Sequence, residues 1–361
     1  MNKFGPITFE QGSVVKQNIH IDSINIDLPV IIISGNKPGK TVLVSAGVHS
    51  CEYVGVEACF QLIKKYTPED ITGNLVVIPV LNRTGFEARL PSLVPEDGKN
   101  LNRMFPGDEN GSFSQKLAYY IEKNFFPYID FYIDLHSGEA YEDLKPYIYF
   151  VGNCSEEVSN IAKEAAKLAH VDFMVKSSAS TGCYNYAGKM GIPSLLLERG
   201  ESGRWSKKEV EEDVRDINNI LIHLGLLEGE IDMPEKEPYL LEHPLYQNIS
   251  TSGIWRTDLK AGNHLEVGQM IGYVTDYFGN ILEEVYAEHS GEILYLTKTL
   301  WADKDTEVIT YTTICNGVEC NEPHHHHAHC SHHHDHDHEH DHKHNYSHTH
   351  GGDVDMENHF R

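Results

Sequence analysis

The chain has 361 residues, 40% of them hydrophobic, which suffices for one large core and a second small one. Its formal net charge is -25, and no run of Lys or Arg interrupts that acidity. A polyanion such as nucleic acid would be repelled and is excluded as an expected partner.

The N-terminal MNKFGPITFEQG lacks the apolar stretch of a secretory signal. No segment nears the roughly 18 consecutive apolar residues of a membrane span. Seven scattered cysteines, an odd number, do not make a disulfide framework. A cytoplasmic protein with no membrane partner is expected.

Taken in order, ITFEQGSVV and HIDSINIDLPVIIISG read as an opening β hairpin or meander. TVLVSAG, NLVVIPVLN, FYIDLH, YIYFVG and PSLLLE follow, short, apolar and rich in β-branched residues, as in strands buried on both faces. Helical patterns such as EYVGVEACFQLIKKY, SQKLAYYIEKNF and SEEVSNIAKEAAKLAH lie between them, and Ser206 with Glu209 has the spacing of a capping box. The alternation predicts an α/β fold: a doubly wound, mixed but mostly parallel sheet with helices on both faces, over residues 1–228. Gly-punctuated strands after the polar linker GEIDMPEKEP predict a small all-β domain over 238–313, with KAGNHLEVGQMIGYVTDYFGN and EVYAEHSGEILYLT as hairpins. Residues 321–361 are His- and Asp-rich low complexity, a composition expected to be disordered.

The chemistry-bearing residues gather at strand ends. His49 and Glu52 follow TVLVSAG, spaced so that both can project from one side of a first helical turn. His136 ends FYIDLH. A His₂Glu set of two near ligands and one distant one leaves zinc an open position for water. An HxxE by itself is common, and a lone His after a strand is usually structural. Position decides here, because His49, Asn82, His136 and Glu198 all follow apolar runs, where ligands of doubly wound sheets bind. Asp134, on the same face of its strand as His136, is either an orienting partner for an imidazole or a solvated strand-end carboxylate.

The run NRTGFEARLPSLVPEDGKNLNRMFPGD, with GVHSCE before it and DLHSG and LLLERG after it, resembles the succinylglutamate desuccinylase/aspartoacylase family, a branch of the zinc carboxypeptidase-like hydrolases. The likeness spans roughly residues 25 to 225. It implies one catalytic Zn2+ held by His49, Glu52 and His136, with Glu198 as the catalytic carboxylate. It implies Asn102 and Arg103 as the grip on a substrate carboxylate, and Arg89 as the arginine that polarises the scissile carbonyl, with Arg83 as competitor. Asn82–Arg83 departs from the NP of many members. Residues such as VGQMIGYVTDYFGN and AEHSGEIL resemble the barrel-sandwich module of lipoyl and biotinyl carriers, without the modified lysine. His243, His264 and His289 read as ordinary surface or turn histidines.

Sixteen of the 24 histidines lie between His324 and His359, more than one site can use. His324, His325, His326, His327, His329, His332, His333, His334, His336, His338, His340, His342 and His344 alternate with acids around Cys330, a pattern that chelates additional Zn2+ or Ni2+. Three functions remain in view. The first is deacylation of an N-acyl amino acid or similar small carboxylate; the second is a metallocarboxypeptidase acting on short peptides. The third belongs to another class: metal storage or metallochaperone activity through the tail.

Overall fold

The computed structural model describes residues 1–241, 244–315 and 318–319. His243 and the His-rich tail lie outside the described residues. A hairpin of β1 (Asn2–Phe4) and β2 (Ile7–Phe9) is followed by β3 (Val14–Ile21), β4 (Ile26–Ser34), β5 (Lys37–Ala46) and α1 (Tyr53–Lys65). Next come β6 (Thr72–Ile78), α2 (Arg83–Ala88), α3 (Phe113–Asn124), β7 (Phe131–His136), β8 (Glu142–Leu144) and β9 (Tyr147–Val151). The large unit continues through α4 (Glu156–Ala166), β10 (Phe173–Ser177), α5 (Cys183–Lys189), β11 (Ser194–Glu198), α6 (Lys207–His223) and β12 (Tyr239–Leu241). No described helix is long and apolar enough to cross a membrane.

Nine strands form one mixed sheet in the order β12-β10-β9-β11-β7-β5-β6-β4-β3. Its centre, β11-β7-β5-β6, is parallel throughout, while β9 against β11 and the β6-β4-β3 edge are antiparallel. The apolar runs earn their place here: β7 is buried at all six positions and β5 along its last five. Leu, Ile and Val on both faces of such strands give up water-exposed surface twice over, at about 25 cal/mol per Å². α1 packs on β5 and β7, and Gly55 lets it come close, since a Cβ there would stand 2.5 Å from Leu135 Cβ. α6 starts where the capping pair predicts, with the Ser206 hydroxyl accepting from the Glu209 N–H at 3.2 Å.

Parallel pairing fixes which residues share an edge. Ser45 lies opposite Asp134, and His136 opposite Glu198, so the C-terminal ends of β5, β7 and β11 finish side by side. Ser45 and Asp134 are fully buried polar residues in otherwise apolar strands. A polar floor under three strand ends is costly unless something uses it.

The strands from Leu245 to Thr312 make two further sheets, and Ile314–Cys315 pairs with Val318–Glu319 in a third. One contains β13 (Leu245–Asn248), β15 (His264–Leu265), β18 (Gly291–Thr297) and β20 (Glu307–Thr312); the other contains β14 (Gly253–Arg256), β16 (Met270–Thr275), β17 (Ile281–Tyr286) and β19 (Trp301–Ala302). Trp255, Leu265, Val274, Ile293 and Val308 fill a core separate from the large one. KAGNHLEVGQMIGYVTDYFGN and EVYAEHSGEILYLT each carry strands, yet neither is a hairpin: in the first, β15 pairs with β18 and β16 with β14 and β17. β17 pairs with β16 in one sheet and β18 with β20 in the other, so the turn between them crosses the layers. Two joins tie this unit to the large one. β12, counted above with the small β domain, pairs with β10 at the edge of the nine-stranded sheet, and β8 pairs with β18.

Candidate active site

His49, Glu52 and His136 converge so that one ligand atom from each lies within 4.8 Å of the others. Glu52 stands between the imidazoles, its Oε1 2.7 Å from His49 Nδ1 and its Oε2 3.0 Å from His136 Nδ1. The expected common helical turn is not how they meet. His49 sits in the turn after β5, and Glu52 is the N-cap of α1 with no side-chain capping bond. The carboxylate therefore faces the histidines instead of the helix N–H groups.

The outer ring nitrogens are also engaged. His49 Nε2 lies 3.1 Å from Asn100 Oδ1, and His136 Nε2 lies 3.3 Å from Asp134 Oδ2. Asp134 is held in turn by the Ser45 hydroxyl, which donates to Oδ1 at 3.0 Å. The Nδ1 atom of each ring faces Glu52, and the Nε2 atom faces Asn100 or Asp134. Of the two readings open for Asp134, the fully buried orienting partner is the one observed.

Electrostatics mark the same spot. Burial alone would raise the Glu52 carboxyl, but His49 and His136 hold it down to about 2. Burial opposes a protonated His136, yet Glu52 and Asp134 carry it well above the usual histidine range; His49 is raised for the same kind of reason by Glu52. Glu198 is pushed up to about 8, first by burial and then by the charges of Glu52 and Asp134, against the pull of both histidines. Buried Glu52 Oε2, His136 Nε2, Asp134 Oδ2 and Glu198 Oε2 have no well-directed hydrogen bond. A cluster of anionic oxygens and imidazole nitrogens with open valences fits a divalent cation, and the His₂Glu donor set fits zinc.

The other expected residues are distributed as follows. Asn102 and Arg103 lie on a 3-10 turn, Leu101–Met104, that Asn100 opens by accepting from the Asn102 N–H. Asn102 Oδ1 accepts from the Cys183 N–H at 2.8 Å, and Arg103 is exposed. Arg89 is exposed at the end of α2 in the left-handed conformation, φ 59°. Its competitor Arg83 is tied to Glu87 and to the Asp27 carbonyl. Asn82, grouped above with the rim residues, is the N-cap of α2, accepting from the Gly85 N–H at 3.0 Å and donating to the Leu93 carbonyl at 3.2 Å. It shapes the loop, and its amide also donates to the Ser50 hydroxyl at 3.4 Å.

Three residues unremarked in the sequence belong to this neighbourhood. Asn100 is the polar partner of His49, one residue before the LNR turn. Arg199, 1% exposed, sends Nη1 to Asp213 and Nη2 to Asp216 of α6, at 2.9 and 2.7 Å, while its N–H donates to the His136 carbonyl. Glu142, on β8, is raised well above the carboxylate range by burial and by Glu139, Glu198 and Glu52. Only Arg199 had a sequence signal, a charge straight after a buried strand.

Comparison with known proteins places this geometry. The succinylglutamate desuccinylase/aspartoacylase catalytic domain matches residues 38–224. N-alpha-acetyl-L-2,4-diaminobutyric acid deacetylase of Halomonas elongata is 29% identical over 255 residues, 69% of this chain and 74% of that protein. A succinylglutamate desuccinylase structure from Silicibacter sp. TM1040 superposes with a TM-score of 0.73 at 25% identity, covering 86% of this chain and 99% of that one. The product-bound ectoine utilization protein EutE (DoeB) of Ruegeria pomeroyi gives a TM-score of 0.75 at 24% identity, over 85% of this chain and 97% of that one. Fold and site together define an α/β enzyme of the deacylase class. The chain belongs to the succinylglutamate desuccinylase/aspartoacylase family.

Proposed function

We propose that the protein is a zinc-dependent amidohydrolase that removes a small acyl group from an N-acylated amino acid. The observation that carries this reading is the convergence of His49, Glu52 and His136 beside a buried, unpartnered Glu198 oxygen, at one edge of a sheet shared with deacylases. When bound, zinc acidifies a water and polarises a carbonyl.

Each protein group has a task in that chemistry. His49, Glu52 and His136 would hold the ion, with Asn100 and Asp134 beside the two rings. Glu198 takes the proton of the attacking water and returns it to the departing amine. Asn102 and Arg103 grip the substrate carboxylate by charge-assisted hydrogen bonds. Arg89 steadies the oxyanion, a contribution typically of about 3–4 kcal/mol. The tail histidines chelate further ions by composition alone, as a reservoir beside the catalytic function.

The test is release of free amine from a panel of N-acyl amino acids by the full chain, with metal content measured on the same sample. An active protein that holds no divalent ion, or an ion-loaded protein inert on the whole panel, removes this reading.

A further inference from the structure

β7 carries Tyr132, Asp134 and His136 at every second position, so the three side chains share one face of the strand. Ser45 stands opposite Asp134 on β5. Ser45, Tyr132 and Asp134 are fully buried, and so is Cys183 at the start of α5. Hydroxyls and a carboxyl inside a covered sheet are unfavourable unless they satisfy one another.

Their contacts form one line. Asp134 Oδ2 lies 3.3 Å from His136 Nε2, and its Oδ1 accepts from the Ser45 hydroxyl at 3.0 Å. Ser45 Oγ is 2.6 Å from the Tyr132 hydroxyl, which is 3.1 Å from Cys183 Sγ. A serine hydroxyl carries a single proton. With that proton on Asp134, the 2.6 Å contact is filled by Tyr132 donating to Ser45. The tyrosine thus decides where the serine proton points, because a Tyr132 that accepted it would take it from Asp134. Tyr132 has little freedom to do otherwise. Its ring packs against Phe126, centroids 6.1 Å apart, and Cys183 closes the far side of the hydroxyl. The Cys183 N–H in turn donates to Asn102 Oδ1 at 2.8 Å, which anchors that end of the line. In a low-dielectric interior each bond of such a chain polarises the next, and an imidazole that binds a metal depends on support of this kind behind it.

We propose that Ser45 and Tyr132 are positioning residues of the metal site: Tyr132 commits the Ser45 proton to Asp134, and Asp134 so held keeps the His136 ring in place as a ligand. The inference rests on the zinc reading above and adds to it two residues that stand behind the ligands. It also gives a use to the polar side chains buried under the ends of β5 and β7.

The test uses the full-length chain with the sixteen histidines from His324 to His359 exchanged for serine, so that Zn2+ reports on the body alone. Ser45→Ala and Tyr132→Phe, each of which deletes one oxygen, are made in it singly, together, and each again beside Asp134→Asn. Zn2+ affinity is measured by competition with a chromophoric chelator, and thermal unfolding is followed on the metal-free proteins. Ser45→Ala weakens Zn2+ binding about tenfold and Tyr132→Phe, one bond further out, about threefold. The double variant binds as Ser45→Ala does, because Tyr132 acts through Ser45. Beside Asp134→Asn neither change shifts the affinity further. A purely structural pair would lower the unfolding temperature and leave the affinity where it was. An unchanged affinity in either single variant, or losses that persist in full beside Asp134→Asn, overturns the assignment. If Tyr132→Phe does not fold, Ser45→Ala with and without Asp134→Asn decides the matter. A parent protein that takes up no Zn2+ overturns the zinc reading itself, and the assignment with it.

Discussion

Replacing Arg199 with methionine tests whether the buried ion cluster behind Glu198 holds this end of the sheet together. The guanidinium is 1% exposed, and both of its carboxylate partners, Asp213 and Asp216, are fully buried. Arg199→Met keeps the carboxylates in place and removes their counter-charge. Breaking a buried pair from one side costs about 3–5 kcal/mol. A proton balance leads to a similar figure. Burial already pushes Asp213 up to about 7, so near pH 6 it is largely protonated in the wild type. The carboxylate that loses its partner must then take up a proton, which costs about 3 kcal/mol at pH 6 for a group of unfolded-state pKa near 3.9. Each further pH unit adds about 1.4 kcal/mol. Urea unfolding followed by circular dichroism at pH 6 and 7 measures both quantities. Adding Asp213→Leu and Asp216→Leu should recover most of the loss, because well-packed apolar side chains replace buried ion pairs at little cost. A loss below about 1 kcal/mol for Arg199→Met, or a triple variant no more stable than the single one, would refute the reasoning.

Glu198→Gln should lower kcat by about 10²–10⁴ while metal content stays at the wild-type level, read from amine release and elemental analysis of one sample. Asp134→Asn removes the charge behind His136 and is expected to weaken metal binding by about 10–100-fold in competition with a chelator, the fold staying intact by circular dichroism. The raised Asp213 carboxyl contributes stability that is complete below its unfolded value and lost as pH rises through about 7. Asp213→Asn should therefore flatten the fall in unfolding free energy between pH 4 and 7, and an unchanged slope would speak against a shifted Asp213. Exchanging the thirteen histidines from His324 to His344 for serine in the full chain should reduce bound Zn2+ or Ni2+ at equilibrium dialysis to about one ion. Loss of that last ion as well would mean the tail, and not the His49 site, was the binder.

The centre of the fold was readable because its residues obey one physical demand. TVLVSAG, FYIDLH and PSLLLE are apolar on both faces, which only a covered parallel strand requires, and the residues that end them stand on one rim by topology alone. His49, His136 and Glu198 follow from that without any contact being known. What stayed illegible depends on partners far away in the chain. Asn100 meets His49 across 51 residues and Asp134 meets Ser45 across 89, and neither pairing leaves a local periodicity. Asn82 was grouped with the rim because a polar residue after an apolar run looks the same whether it caps a helix or faces a ligand. The alternation of EVYAEHSGEILYLT shows strands but not their sheet, since period two marks a face and says nothing about which layer lies opposite. At three residues, β8 is too short to carry any pattern.

That shortest strand explains how the all-β unit bears on the site. β8 directly follows Gly138–Tyr141, the segment whose backbone is stitched to Gly200 and Gly203 beside Glu198. Its outer edge pairs Glu142 with Thr297 and Leu144 with Tyr295 of β18, and the Lys145 N–H continues the ladder to Leu294. Leu144, Tyr147, Phe173, Val175, Leu241 and Leu294 then close a small apolar core drawn from both sides of the junction. Three-residue strands do not persist alone. The conformation of residues 138–144, and with it the position of Glu142 against Glu198 and Glu52, therefore depends on a sheet that begins about a hundred residues later in the chain. The all-β unit thus braces the segment that carries Glu142, through the pairing of β8 with β18.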